Sequence, residues 1–315
     1  MLNAEYAIIV KSQTRLERLL QQCSTRSMAR FQVESQGGDF TDYKAEHDVY
    51  HESLARVQKE LSRLLRYKTI DKNFVPSFIF KGQIPLVIVV GQDGLVANTA
   101  KYVDKTPIVA VNPEPARYDG VLLPFGVTDF VEGVEQVISG RYPSRTVSMA
   151  EAKLRDGQRL LAFNDLFIGA ASHVSARYRI RYGKLSEAQL SSGIIVSTKS
   201  GSTGWLSSVF NMSLGVQRFL DRATNRKTLP GIKLEEKELF FAVREPFKSR
   251  QTGIDLINGS IKGNTKLHVE SFMPTGGVIF SDGIESDFLQ FTSGSIVAIG
   301  LAPETATLVQ RASTH

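Results

Sequence analysis

An open parallel α/β domain followed by a β-rich, sandwich-like domain is the architecture this sequence predicts, and three observations carry it. Two apolar runs of strand length, LVIVVG (86–91) and TPIVAVN (106–112), alternate with helical segments in the first half, the pattern of strands buried on both faces. From about residue 143 the texture changes to short strand patterns punctuated by glycine turns, such as INGSIKGNTKLHVES, TGGVIFSDG and TSGSIVAIGLA. The chain of 315 residues is also longer than one compact core usually covers. The domains are expected at 1–142 and 143–300, with 301–315 returning to the first.

Taken in order, AEYAIIVKS (4–12) reads as a first strand, and TRLERLLQQ (14–22) has apolar residues at helical spacing. A longer amphipathic helix is expected over 43–65. After the strand at 86–91, LVANTAKYV (95–103) reads as helical. In TDFVEGVEQVISG (128–140), Thr128 reads as an N-cap and Gly140 as a stop. In the second half, Asp156-Gly157 between two strand-like arms signals a hairpin. RYRIRYG (177–183) alternates, SGIIVST (192–198) is a further strand, and WLSSVFNMSLGVQRFLD (205–221) is a helix. Trp205 and the stripe Leu206, Val209, Phe210 and Met212 read as core.

Composition bounds the partners. Hydrophobic residues make up 42% and charged residues 22%, as in ordinary globular domains. No apolar run approaches the roughly 20 residues that span a bilayer, so no membrane partner is expected. The N-terminus lacks the basic and apolar regions of a secretory signal. Cys23 is the only cysteine, which excludes internal disulfides and cysteine-based zinc sites, and a cytoplasmic location is the simple expectation. The net charge of +6 allows three partners: nucleic acid, an anionic membrane or small phosphorylated molecules. No lysine/arginine run interleaves with aromatics, so nucleic acid is not expected and small nucleotides are. His47 and His51 stand at i, i+4, but no third ligand is evident and HExxH is absent. They read as a solvated face, and no protein metal ligands are expected. REPFKSR (244–250) reads as a solvated rim that could line an anion site.

Three segments carry chemistry. The first is GQDG (91–94), at the carboxyl end of a buried strand and before a helix, where open α/β sheets bind ligands. Glycines there let backbone N–H groups approach a phosphate. Asp93 would repel one, unless it binds Mg²⁺ or takes a proton from an attacking hydroxyl; the plain alternative is a helix cap. The second is FNDLFIG (163–169). Asn164 and Asp165 are polar residues in an apolar strand, and each costs roughly 1–3 kcal/mol if buried without partners. They either join a structural hydrogen-bond network or face a ligand such as a ribose. The third is SSGIIVSTKSGSTGW (191–205), in which a strand ends in residues 198–204, all small or polar except Lys199. That segment suits a polar ligand, or is a connection with Ser202 or Thr203 as N-cap.

Taken together and in this order, GQDG, ND (164–165) and SGSTGW (200–205) resemble the NAD kinase family. That family carries a Gly-Gly-Asp-Gly turn, an Asn-Glu pair and a Thr-Gly-Ser-Thr-Ala-Tyr-like loop. VNPEPARYDGVLLPF (111–125), AFNDLFIG (162–169), SSGIIVST and REPFKSR give the flavour of its mitochondrial-type and bacterial relatives. The likeness covers most of 86–301. It implies ATP-dependent transfer of phosphate to the 2′-hydroxyl of the adenosine ribose of NAD, with a divalent cation such as Mg²⁺, in a homodimer or homotetramer. By the same implication Asp93 is the general base and Gly91, Gln92 and Gly94 lie against the ligand. Asn164 and Asp165 bind the adenosine part, and Thr203, Gly204 and Ser208 contact the nucleotide. Four positions depart from the pattern: Gln92 for a glycine, Asp165 for a glutamate, Ser192 for an aspartate, and Lys199 for a proline, where its amine could meet a phosphate. Two other readings stay open: a non-catalytic NAD(P)-binding homologue, and a kinase for a different alcohol, a lipid or a sugar.

Overall fold

The structure is a computed structural model, and it describes residues 6–72, 86–220 and 233–312. The chain divides into two compact units, residues 1–146 with 306–315, and residues 147–305.

In the first unit, β1 (Tyr6–Lys11), β2 (Arg66–Asp71), β3 (Leu86–Val90) and β4 (Pro107–Asn112) form a parallel sheet in the order β2-β1-β3-β4. All five residues of β3 and all six of β4 are buried. These are the two continuous apolar runs of the sequence, and burying each large aliphatic contributes about 1.5–3 kcal/mol. Helices α1 (Arg15–Gln22), α2 (Arg26–Ser35) and α3 (Phe40–Leu61) follow β1. Each starts at a side-chain cap. Thr14 and Glu17 make a reciprocal capping box, and Thr25 and Asp39 accept the N–H groups of Met28 and Thr41. Helix α4 (Asp93–Ala100) follows β3, and a two-residue strand, β5 (Phe125–Gly126), precedes α5 (Phe130–Ile138). Gly140 (φ 71°) ends α5 as expected. Its N-cap is Asp129 rather than Thr128. The Asp129 carboxylate does not cap the helix but accepts the Gly126 N–H and pairs with Arg311.

The second unit is a sandwich of two sheets. One has the order β13-β12-β11-β8-β15-β16, all antiparallel: β13 (Asn258–Lys262), β12 (Glu238–Val243), β11 (Ile194–Ser197), β8 (Asp165–Ala170), β15 (Gly277–Ser281) and β16 (Ile284–Gln290). The other joins β10 (Leu185–Ser191), β9 (Ala176–Tyr182), β14 (Leu267–Ser271) and β17 (Ile296–Val309), with β6 (Ser144–Leu154) and β7 (Arg159–Ala162) beyond. Inward residues of both sheets, among them Leu166, Ile168, Val196, Tyr178, Val269 and Val297, make one core. The strict alternation of burial along β9 matches the alternation of its sequence. The Asp156-Gly157 hairpin is present, with Gly157 at φ 95°. Helix α6 (Trp205–Leu220) lays Leu206, Val209 and Phe210 on the outer face of the first-named sheet. Met212, expected in that stripe, is instead half exposed, because the helix turns it away from the sheet. No described helix is long and apolar enough to cross a membrane.

Candidate active site

The first unit presents the GQDG turn. The carboxyl ends of β1, β3 and β4 lie along one edge of the parallel sheet, where such sheets bind ligands. The chain leaves β3 at Gly91, whose N–H donates to the Val111 carbonyl at 3.3 Å. A Cβ here would fall 2.8 Å from the Leu95 side chain, whereas one at Gly94 would meet nothing within 4 Å. The space over Gly94 is therefore open. Helix α4 begins without a side-chain cap, so its first N–H groups have no partner from a capping side chain.

Asp93 does not cap α4. Its two carboxylate oxygens accept the N–H groups of Leu122 (2.7 Å) and Val121 (3.2 Å). The turn and the 113–124 loop are thus fastened to each other. Gln92 is exposed at the N-cap position, and burial pushes the pKa of the Tyr118 phenol upward. Asn112 holds the same loop by donating to the Tyr118 carbonyl at 2.9 Å. An ion-pair network secures it further. Arg117 pairs with Asp42 (2.8 Å) and Glu114 (3.0 Å), and Arg15 pairs with Asp42 (2.8 Å) and Glu46. Hydrogen bonds from Arg117 and Arg15 hold the Asp42 carboxyl down at about 2. Tyr50 donates to the Val90 carbonyl and accepts the Ser12 N–H, both at 3.0 Å, which fixes the end of β3.

The second unit brings the other predicted segments together. Cross-strand register places Asp165 opposite Ser197, and Phe167 opposite both Ile195 and Phe280, on the outer face of the six-stranded sheet. The Thr198 N–H donates to the Asn164 carbonyl (2.9 Å), and its hydroxyl to that of Phe163 (2.6 Å). Gly201 packs so closely that a Cβ would lie 2.4 Å from the Asn164 oxygen and 2.7 Å from Asp165 Oδ1. Only glycine fits there.

Asp165 is the electrostatic centre of this arrangement. It lies opposite Ser197, and its Oδ1 is buried without a partner. Burial, and secondarily the charge of Asp282, push its pKa up to about 7. Sequence reasoning passed over Asp282. Its carboxylate accepts the N–H groups of Phe163, Asn164 and Asp165 at 3.0, 2.6 and 3.2 Å, and its own N–H donates to the Asp165 carbonyl. It sits at φ 54° in the β15–β16 hairpin. The signal that could have flagged it is the Ser-Asp-Gly turn of the hairpin.

The remaining predicted residues are dispersed around this centre. Lys199 Nζ is 3.3 Å from Glu236. Thr203, Gly204 and Ser208 are exposed at the start of α6. Ser192 lines a cavity of about 590 Å³ with Phe167, Trp205, Phe280, His173 and Arg244. Trp205, expected in the core, is a cavity wall. It stacks on Phe167 with ring centroids 5.6 Å apart, and the Arg244 guanidinium lies 5.4 Å from its ring. Gly91, Gln92, Asp93 and Gly94 belong to the first unit, the other predicted residues to the second.

No family model matches the chain. Curated sequences do. An NAD kinase of Chlorobium phaeobacteroides is 30% identical over 128 residues, which is 39% of this chain and 44% of that protein. An NAD kinase of Aeromonas salmonicida is 30% identical over 142 residues, 43% of this chain and 48% of that protein. The chain thus spans less than half the length of the curated relatives it matches. Solved structures extend the likeness to the fold. Yeast NADH kinase complexed with NADH superposes with a TM-score of 0.57 at 13% identity, over 98% of this chain and 84% of that one. An NAD kinase from Archaeoglobus fulgidus in complex with ATP gives 0.54 at 14% identity, over 97% and 93%.

Proposed function

Starting from kinship with the NAD kinases in sequence and in two-domain fold, we propose that this chain is an NAD kinase-like phosphotransferase that uses ATP to phosphorylate the 2′-hydroxyl of the adenosine ribose of NAD. The observation that carries the proposal is the Asp165 carboxyl. It is buried with an unpartnered oxygen, beside Asn164 and under a loop that only glycine allows to come so near. A buried polar atom left unsatisfied is costly unless a ligand completes it. A ribose hydroxyl, which both donates and accepts, suits an acid whose pKa lies near neutrality.

In the reaction, the 2′-oxygen attacks the γ-phosphorus, the bond to the β-bridging oxygen breaks and ADP leaves. Asp93 takes the hydroxyl proton. The Val121 and Leu122 N–H groups hold its carboxylate in one orientation and leave each oxygen a further lone pair. The uncapped start of α4 and the open face of Gly94 receive phosphate oxygens through backbone N–H groups. The turn offers a divalent cation one carboxylate and open backbone, a donor set that fits Mg²⁺ held mainly by substrate phosphates. Such an ion, when bound, offsets phosphate charge. The aromatic cavity beside Ser192 adds room for a planar group on the face that carries Asp165. Assembly into a homodimer or homotetramer belongs to the same proposal.

The deciding experiment incubates purified protein with ATP, Mg²⁺ and NAD and measures NADP beside Asp93→Asn. Product from the wild type and a loss of at least 100-fold in the variant is expected; equal product from both would remove Asp93 as base. One observation favours a second reading, a homologue that binds NAD or NADP without turnover: Gln92, exposed at the N-cap of α4, stands where phosphate would approach. Binding without product, with activity appearing in Gln92→Gly, would select it.

A further inference from the structure

Away from the turn and the Asp165 site, a cluster of metal-ligating side chains joins two helices of the first unit. Glu17 on α1 meets His47 and His51 on α3, and the ligand atoms of all three lie within 4.8 Å of one another. The i, i+4 spacing sets both imidazoles on one face of α3, with ring centroids 4.3 Å apart. The third donor, which the sequence pattern around the histidines does not reveal, comes from the other helix. His51 Nε2 and Glu17 Oε1 stand 3.0 Å apart, close to the roughly 3.3 Å edge of a tetrahedral site with ligands at about 2.0–2.1 Å.

The bonds that orient such ligands are in place as well. The second Glu17 oxygen accepts the Thr14 N–H at 2.8 Å, so the capping box of α1 also aims the carboxylate. His47 Nδ1 hydrogen-bonds the Thr14 hydroxyl at 2.9 Å. A proton on Nδ1 then leaves the Nε2 lone pair for an ion. Metal-bound histidines and carboxylates are regularly held in this way. The site is open: the side chains of His51 and Glu17 are 39% and 26% exposed. Asp48 and Glu17 set negative charge around His47 against Arg26.

Two imidazoles and one carboxylate select a borderline transition metal over Mg²⁺ or Ca²⁺, which take oxygen donors. We propose that Glu17, His47 and His51 form a Zn²⁺ site that clamps α1 to α3, with water as the fourth ligand. Zn²⁺ takes the place of the His51 Nε2–Glu17 hydrogen bond, and the neutral His51 ring then carries its proton on Nδ1. The clamp adjoins Tyr50, whose ring meets that of His51 edge-on at 5.7 Å and whose hydroxyl holds the end of β3.

The test is calorimetric titration of untagged full-length protein with Zn²⁺, with Co²⁺ absorption as a second readout. The wild type is expected to take up one Zn²⁺ per chain, unaffected by excess Mg²⁺, and to show the Co²⁺ bands of a tetrahedral centre. His51→Gln and Glu17→Gln are each expected to weaken Zn²⁺ binding at least tenfold, and Thr14→Val about 10–100-fold. Far-ultraviolet circular dichroism of the metal-free variants confirms that they are folded. Zn²⁺ should raise the melting temperature of the wild type and leave that of the folded His47→Gln/His51→Gln protein unchanged. Binding that survives the double substitution, or that Mg²⁺ displaces at equal concentration, would overturn the proposal.

Discussion

Replacing Asp165 by asparagine tests how the second unit holds an acid in its sheet. The folded protein raises this carboxyl from 3.8 to about 7, chiefly by burial. Below pH 4 both folded and unfolded chains keep the proton, so the site costs nothing. Between pH 4 and 7 the unfolded chain ionises while the folded chain remains protonated. The unfolded state then binds fewer protons, and stability falls as pH rises. Above pH 7 the loss is complete. A displacement of about three pH units at about 1.4 kcal/mol each sets an upper figure of about 4 kcal/mol. Asp165→Asn keeps the shape and loses the ionisation, so it should unfold like the wild type near pH 4 and be more stable by up to about 4 kcal/mol at pH 8. Urea unfolding read by fluorescence suits the question, because Trp205 is the only tryptophan and stacks on Phe167 in the same unit. A wild-type stability that runs parallel to that of Asp165→Asn from pH 4 to pH 8 would refute the argument. The stabilised variant is also expected to lose affinity for NAD, the usual exchange between a strained ligand group and stability.

Other outcomes follow from neighbouring contacts. Gly201→Ala places a methyl group 2.4 Å from the Asn164 carbonyl, so the loop must retreat by about 1 Å; NAD affinity by titration is expected to drop on the order of 100-fold while the fold persists. Asp282→Ala leaves three backbone N–H groups without their acceptor and should cost about 2–4 kcal/mol in urea. Tyr50→Phe removes the links to Val90 and Ser12. It should lower stability by about 1–2 kcal/mol, measurable as a shift in the thermal midpoint.

What the sequence disclosed about the fold is what local patterns encode. The runs in β3 and β4 are apolar throughout because both faces of the parallel sheet are covered, and β9 alternates because one of its faces is wet. Contacts between distant residues left no such mark. Asp93 reads locally as a cap, yet its partners are Val121 and Leu122, far along the chain. The 164–165 pair reads as ligand-facing or structural, and the register with β11 and the closeness of Gly201 show how each residue is held. Asp282 and Glu17 escaped notice for one reason: each acts on residues remote in sequence, through a geometry that only the fold creates. Helix α2 was not read from the sequence because it rests on only two buried side chains, Ala29 and Val33.

The strand β17 has a temporal consequence. Near its end, Thr307 and Leu308 lie beside Pro107 and Ile108 and flank β4 on the side away from β3. A ribosome must therefore synthesise the whole intervening sandwich before the amino-terminal sheet can gain its final neighbour. Until then one margin of β4 lacks those main-chain bonds, and the nascent protein is expected to depend on early completion of the second unit or on a holding factor during that interval.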